Sequence, residues 1–295
     1  MAMERALLPM VLGALLVASC ANAPQRAATP PVYVIKDDDT TLYLAGTVHL
    51  LPDDIDWRSA ALGRAISAAD ELVTELSAAE LDKIPDIAPR YTKASGHTPA
   101  QDRFAPDLQD DFARLADAEN IAVAELATID DWAIALLLAQ ISARKAGLSS
   151  DNGMDNALSA DFARAGKPRS GLERAADQFA AFDAIPRTEQ RQMLNRVMRD
   201  VADGKADDRL RATVSAWAAG DMTALAAIIA TDAALAPQTN RILLVDRNRQ
   251  WSIWIAKRLE RPGTLLVAVG AGHLAGPESL IDFLAERGIM ATRLP

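Results

Sequence analysis

LLVAVGAGHLAGP, residues 265–277, decides the architecture. Its first five residues are apolar without interruption, which suits a β-strand covered on both faces. The run stops at Gly270, places a histidine three positions later at His273, and reaches a proline at Pro277. Far upstream, TLYLAGTVHLLP (41–52) repeats the order with Gly46, His49 and Pro52. Both segments read as apolar strand followed by G-x-x-H-L.

Around these two corners the chain alternates in character. PVYVIK (31–36) and TLYLAG (41–46) flank DDDT, short β-rich runs around an acidic turn, and predict a β-hairpin. Residues 55–69 have helical spacing, and ELVTEL (71–76) reads as a strand. From 77 to 240 the chain is mainly Ala/Leu-rich. Helical periodicity is read there over 107–120, 130–146, 154–165, 189–202, 207–219 and 222–230, with PRSGLE (168–173) as an intervening strand. One long helix is expected over 238–260, ending before RPG. A helix over 277–288 and an edge strand over 289–294 complete the chain. The fold class is α/β: a small central sheet built from strands near both chain ends, with a large helical insertion or cap.

The totals restrict function. The chain has 295 residues and a formal net charge of −9, with no clustered basic face, so a nucleic-acid partner is not expected. Cys20 is the one cysteine, which rules out an intrachain disulfide. Residues 6–18, ALLPMVLGALLVA, follow Arg5 and have the length of a signal-peptide core rather than a membrane span. They lead into Val17-Ala18-Ser19-Cys20, which resembles a bacterial lipobox, where the cysteine is lipidated and the chain cut before it. Ala21 after the cysteine resembles lipoproteins sent to the outer membrane. The expected division is a lipoprotein signal peptide over 1–19, a polar Pro/Ala-rich linker over 20–30 and a single α/β domain over 31–295. The expected location is the cell envelope, at the outer membrane facing the periplasm.

The chemistry sits at strand ends. In an open α/β sheet, ligands collect at the carboxyl edge. A glycine there permits a sharp turn or close backbone approach, and a histidine just beyond it reaches the crevice. Two imidazoles so delivered can be metal ligands, or a base and its partner. ELVTEL places Glu75 at a third strand end and SGLE places Glu173 at a fourth. A carboxylate at the end of a buried strand is costly unless paired or bound to a cation. Either glutamate also fits a carboxylate favoured by a helix N-terminus. Arg247 and Asn248, inside the long helix, could orient a carboxylate or stabilise an oxyanion, or belong to an ordinary surface DRNR run. His97 lies in a polar loop and reads as solvated.

Together LAGTVHLLP, ELVTEL, GMD (153–155), KPRSGLE with Gln178 after it, LLVDRN and AVGAGHLAGPESLIDFLAERG resemble the TraB/GumN family over residues 31–295. That family is similar to the Tiki metalloproteases and, more distantly, to the erythromycin-esterase and ChaN-type haem-binding folds. The resemblance implies that His49 and His273 are the two motif histidines, Glu75 and Glu173 the strand-end glutamates, and Arg247–Asn248 the helix-borne RN pair. Arg174 departs from it, since many relatives carry a small or hydroxyl residue after GLE. The function so implied is a metal-dependent hydrolase, a peptidase first, acting on a peptide or small molecule; the leader adds that it is held to the membrane by its N-terminal lipid. A divalent ion (Mn, Co or Zn) on His49, His273, Glu75 and Glu173 would lower the pKa of bound water from ~15.7 towards ~7. Glu75 or Glu173 would be general base, with Arg247 and Asn248 facing the developing negative charge. Two alternatives stand beside it. One is a non-catalytic haem- or peptide-binding lipoprotein. The other is a metal-free hydrolase with His49 or His273 as base.

Overall fold

A computed structural model describes residues 25–94 and 96–295. The leader and Cys20 lie outside the described residues. Among the described residues eight strands occur: β1 Arg26–Ala27, β2 Val32–Lys36, β3 Thr40–Thr47, β4 Ile55–Asp56, β5 Glu71–Leu76, β6 Arg169–Glu173, β7 Gly263–Gly270 and β8 Thr292–Arg293. Six of them form one sheet in the order β6-β5-β7-β3-β2-β8. The run β6-β5-β7-β3 is parallel, and β2 and β8 complete the sheet antiparallel. The mixed α/β architecture is as expected: all but β6 of these six strands come from near the chain ends, and the helical block lies mostly between β5 and β7.

The acidic turn closes the β2–β3 hairpin because the Asp37 carboxylate accepts the backbone N–H groups of Asp39 and Thr40. The apolar run of β7 lies at the sheet's centre with Leu265 to Val269 fully buried. One side chain set, with Leu42, Leu44, Val73, Val267 and Val269, meets Trp251, Ile255, Leu280 and Leu284. The other, with Ala45, Leu72, Leu266 and Ala268, meets Leu62, Met154, Leu158, Phe162 and Trp217. Burial on both faces is what a continuous apolar strand requires, since a polar residue on either side would lose its water. The helical block has a core of its own around Phe104, Phe112, Leu138, Leu194 and Met198.

Among the boundaries that differ from the sequence reading, three change the architecture. The helix expected from residue 55 starts at Ala60, because the Ser59 hydroxyl caps it by accepting from Leu62 N–H. Ile55–Asp56 instead pairs in parallel with Arg26–Ala27. The described part of the polar segment before β2 therefore lies on the domain: Ala28 is buried and Thr29 N–H donates to the Ala218 carbonyl at 2.7 Å. The single helix over 238–260 is three pieces, Pro237–Asn240, a π-helical turn Arg241–Val245, and Asp246–Leu259. Helical periodicity alone does not reveal the extra residue that a π turn accommodates. The last strand shrinks to Thr292–Arg293, which pairs only with Tyr33 and Val34. Among the described residues no helix is long and apolar enough to cross a membrane.

Candidate functional site

The parallel strands end on one edge of the sheet. In spatial order their carboxyl ends carry Glu173 on β6, Glu75 on β5, His273 beyond β7 and His49 beyond β3. Thr47 and Gly270 are register partners, so the two G-x-x-H corners leave adjacent strands at one level. Neither motif glycine has a positive φ. Both sit where space is tight. A Cβ at Gly46 would stand 2.7 Å from Pro31 Cγ, and one at Gly270 would stand 3.2 Å from Glu75 Oε1.

Arg247, one residue into the helix Asp246–Leu259, reaches the centre of the edge. Its Nη2 donates to Glu75 Oε2 at 2.7 Å and to Glu173 Oε1 at 2.5 Å, and its Nε donates to Glu173 Oε2 at 3.1 Å. Nη1 donates to the Leu243 carbonyl at 3.0 Å and lies 3.3 Å from His273 Nε2. The five N–H groups of a guanidinium are thereby all engaged. Trp251 lies beneath, with Arg247 Cζ 4.7 Å and the His273 ring 4.4 Å from its ring centroid. Gln178 donates to Glu173 Oε1, and Gly270 N–H donates to Glu75 Oε1 at 2.7 Å.

His273 is buried, and its tautomer follows from its partner. Asn248 Nδ2 donates to the Glu278 carbonyl, which leaves Asn248 Oδ1 to accept from His273 Nδ1 at 2.6 Å. Glu278 holds that carbonyl in place from a left-handed backbone, φ 59°. The lone pair of His273 is therefore on Nε2, facing Arg247. Burial drives its pKa down to about 3, so the ring is neutral across the physiological range. Burial alone would raise the pKa of Glu75. His273, Arg247, His49 and the Gly270 N–H oppose that effect and bring it to about 2. With His273 uncharged, Arg247 is the buried cation that keeps Glu75 ionised at neutral pH. Glu173 is shifted upward by burial, although its bonds to Arg247 pull the other way.

His49 has the opposite environment. Its side chain is 63 % exposed, and Nδ1 lies 2.7 Å from Asp155 Oδ2. The Thr47 hydroxyl donates to Asp155 Oδ1 at 2.9 Å and fixes the carboxylate. The bond to Asp155 raises the imidazole pKa to about 9 against a smaller effect of burial; Glu75 adds to the rise and Arg247 opposes it. Asp155 was not a candidate from sequence, because an acid in the first turn of the helix Met154–Arg164 reads as ordinary dipole compensation. The glycine before that helix is the signal. A Cβ at Gly153 would run into the His49 carbonyl oxygen, and Met154 N–H donates to the Val48 carbonyl. The loop carrying His49 and the helix start carrying Asp155 are thus pressed together.

The expected site residues Glu75, Glu173, His273, Arg247 and Asn248 form one hydrogen-bonded cluster. His49 lies close enough to Glu75 and Arg247 to feel both charges. Arg174 is at the margin, exposed and paired with Asp177, and His97 is exposed. Asn248 spends both polar atoms inside the protein and Arg247 has no uncommitted N–H, so neither faces outward as an oxyanion donor in this arrangement. The donor set does not fit a divalent ion as it stands. Arg247 occupies the space between the two carboxylates and against His273 Nε2, and a second cation there would meet its charge. Among the described residues no three His, Cys, Asp or Glu side chains are grouped to hold one.

A family model described as the TraB/PrgY/gumN family matches residues 31–293. No curated protein and no solved structure matches the chain.

Proposed function

The chain belongs to the TraB/PrgY/gumN family, and on the geometry of its site we propose that it is a hydrolase of ester or amide bonds with His49 as its acid–base group. The observation that carries this reading is the His49–Asp155 pair at the carboxyl edge of the sheet. Nδ1 is taken by Asp155, so Nε2 is the nitrogen available to water or substrate. As base, His49 takes a proton from the attacking water, and as acid it returns one to the leaving group, a role commonly worth about a hundred- to ten-thousand-fold. Asp155 and the ionised Glu75 both favour the imidazolium, so His49 is protonated at neutral pH and acts as base through the neutral fraction that grows as pH approaches 9. The buried Glu173–Arg247–Glu75–His273 set ties three of the strand ends to the helix Asp246–Leu259 and supplies a fixed charge pattern that need not reorganise during reaction.

A second reading retains the divalent ion, favoured by the meeting of Glu75, Glu173 and His273 around the Arg247 guanidinium. It requires Arg247 to leave its two carboxylates, and no step is derived from it. A panel of 4-nitrophenyl esters and a fluorogenic peptide library, assayed before and after exhaustive chelation, separates the readings. Cleavage that survives chelation and disappears in His49→Ala supports the acid–base reading. Loss on chelation with recovery on adding Mn, Co or Zn establishes the metal reading instead. Stoichiometric haem uptake with no cleavage of any probe supports the binding lipoprotein.

We also propose anchoring to the envelope through lipidated Cys20, on the strength of the leader sequence. Cys20→Ser is expected to move the protein from the membrane fraction to the soluble fraction, and unchanged fractionation rejects the anchor.

A further inference from the structure

Beside the polar cluster lies a half-open cavity of about 500 Å³, within the range of small-molecule sites. Its walls come from the helical block and include Ala139, Val197, Leu210, Ile229, Leu243 and Leu244. Two features connect it to the strand ends. Arg247 lines it, and a Cβ added at Gly272 in the second G-x-x-H corner would touch Ile229 Cδ1 at 3.6 Å. The π-helical turn links wall and site directly. It presents Leu243 and Leu244 to the cavity while the Leu243 carbonyl accepts from Arg247.

The cavity's charged lining residues other than Arg247 balance one another. Asp232 pairs with Arg209 and, at 3.2 Å, with Arg196, and Arg209 lies 3.6 Å from Asp200. Two arginines against two aspartates leave no unpaired charge there for a ligand to neutralise. A charged ligand group would have to break these pairs, whereas an uncharged apolar group only displaces water from apolar walls.

We propose that this cavity receives the uncharged, apolar part of the substrate, an aliphatic or aromatic group attached to the bond cleaved at the strand ends. The binding claim stands on the cavity; its link to turnover rests on the hydrolase reading above. The test uses the full chain and two kinds of probe. N-phenyl-1-naphthylamine, a neutral apolar fluorophore, reports occupancy. The 4-nitrophenyl esters of acetate and octanoate report chain-length preference in turnover. The cavity is filled in Ala139→Phe and, separately, Ala233→Phe, with melting temperature as the check that each variant folds.

Saturable dye binding in the unmodified protein, weakened roughly tenfold or more in the filled variants, supports the cavity. So does an octanoate preference that the filled variants lose while acetate turnover persists. Dye binding that is absent, or equal in filled and unfilled protein, overturns the proposal, as does ester cleavage without chain-length preference. Dye binding lost on filling, with no ester cleaved, leaves the cavity standing and removes the hydrolase reading.

Discussion

His49 and His273 occupy the same position in the same motif on adjacent strands, yet their chemistry is opposite. His49 is exposed and faced by a carboxylate, and its pKa rises to about 9. His273 is buried and faced by an amide, and its pKa falls to about 3. One is positioned to exchange protons with a ligand, while the other is a fixed neutral acceptor for Arg247. A spacing motif delivers an imidazole to a place; the groups that meet it there decide what it does.

The contrast rests on Arg247, and the largest effect is expected from removing it. Arg247→Met leaves two carboxylates without their shared cation, and breaking a buried pair costs about 3–5 kcal/mol. Chemical denaturation should show that loss; a change under 1 kcal/mol would mean that the cluster is not buried as described. Next in size is the divergence of the two alanine variants. His49→Ala should lower ester or peptide cleavage about a hundred- to ten-thousand-fold with little change in melting temperature, because its side chain is exposed. His273→Ala should lower the melting temperature clearly, since it strands Asn248 and removes the acceptor for Arg247. Equal effects on stability would erase the comparison.

Asp155→Asn sharpens it further by giving His49 an amide partner like that of His273. With His49 as base, kcat/KM rises with pH and levels off near 9. In the variant that inflection should move towards the ordinary imidazole value of about 6.5, and an unmoved profile would detach His49 from the rate. The smallest effect is on stability. His49 has a raised folded pKa, so its contribution is complete below about 6.5 and is lost as pH rises through 9. His273 and Glu75 have lowered folded pKa values. Their contributions are complete above 6.5 and 4.5 respectively, and are lost as pH falls towards about 3 and 2. Melting curves across pH should lose the alkaline limb in His49→Ala while keeping the acid limb.

The sheet was legible because its strands advertise themselves: LLVAV and ELVTEL have no helical alternative at that length, and their ends name the edge. Convergence of Glu75, Glu173 and His273 followed from the same strand ends, whereas Arg247 sits on the helix Asp246–Leu259, where its residues alone read equally as a surface DRNR run and only the family resemblance pointed to the site. Roles were less legible. From sequence Arg247 and Asn248 could orient a carboxylate or stabilise an oxyanion, and the contacts favour the first for Arg247, which donates to Glu75 and Glu173, while Asn248 bonds His273 and Glu278. Asp155 escaped because its partner lies 106 positions away and the local trace, Gly153, says only that something presses on the helix start and not what. The π turn escaped because one extra residue barely disturbs a helical pattern.

Gly153 carries a consequence for how this chain could be rebuilt. Its missing side chain lets the beginning of a helix in the inserted block sit flush on the loop after the first G-x-x-H. A chimaera that imports the insertion from a relative must therefore bring its own matched junction, glycine and aspartate included. Without that seam the transplanted half would be held away from the sheet, and His49 would lose its orienting partner even with every residue of the original strands retained.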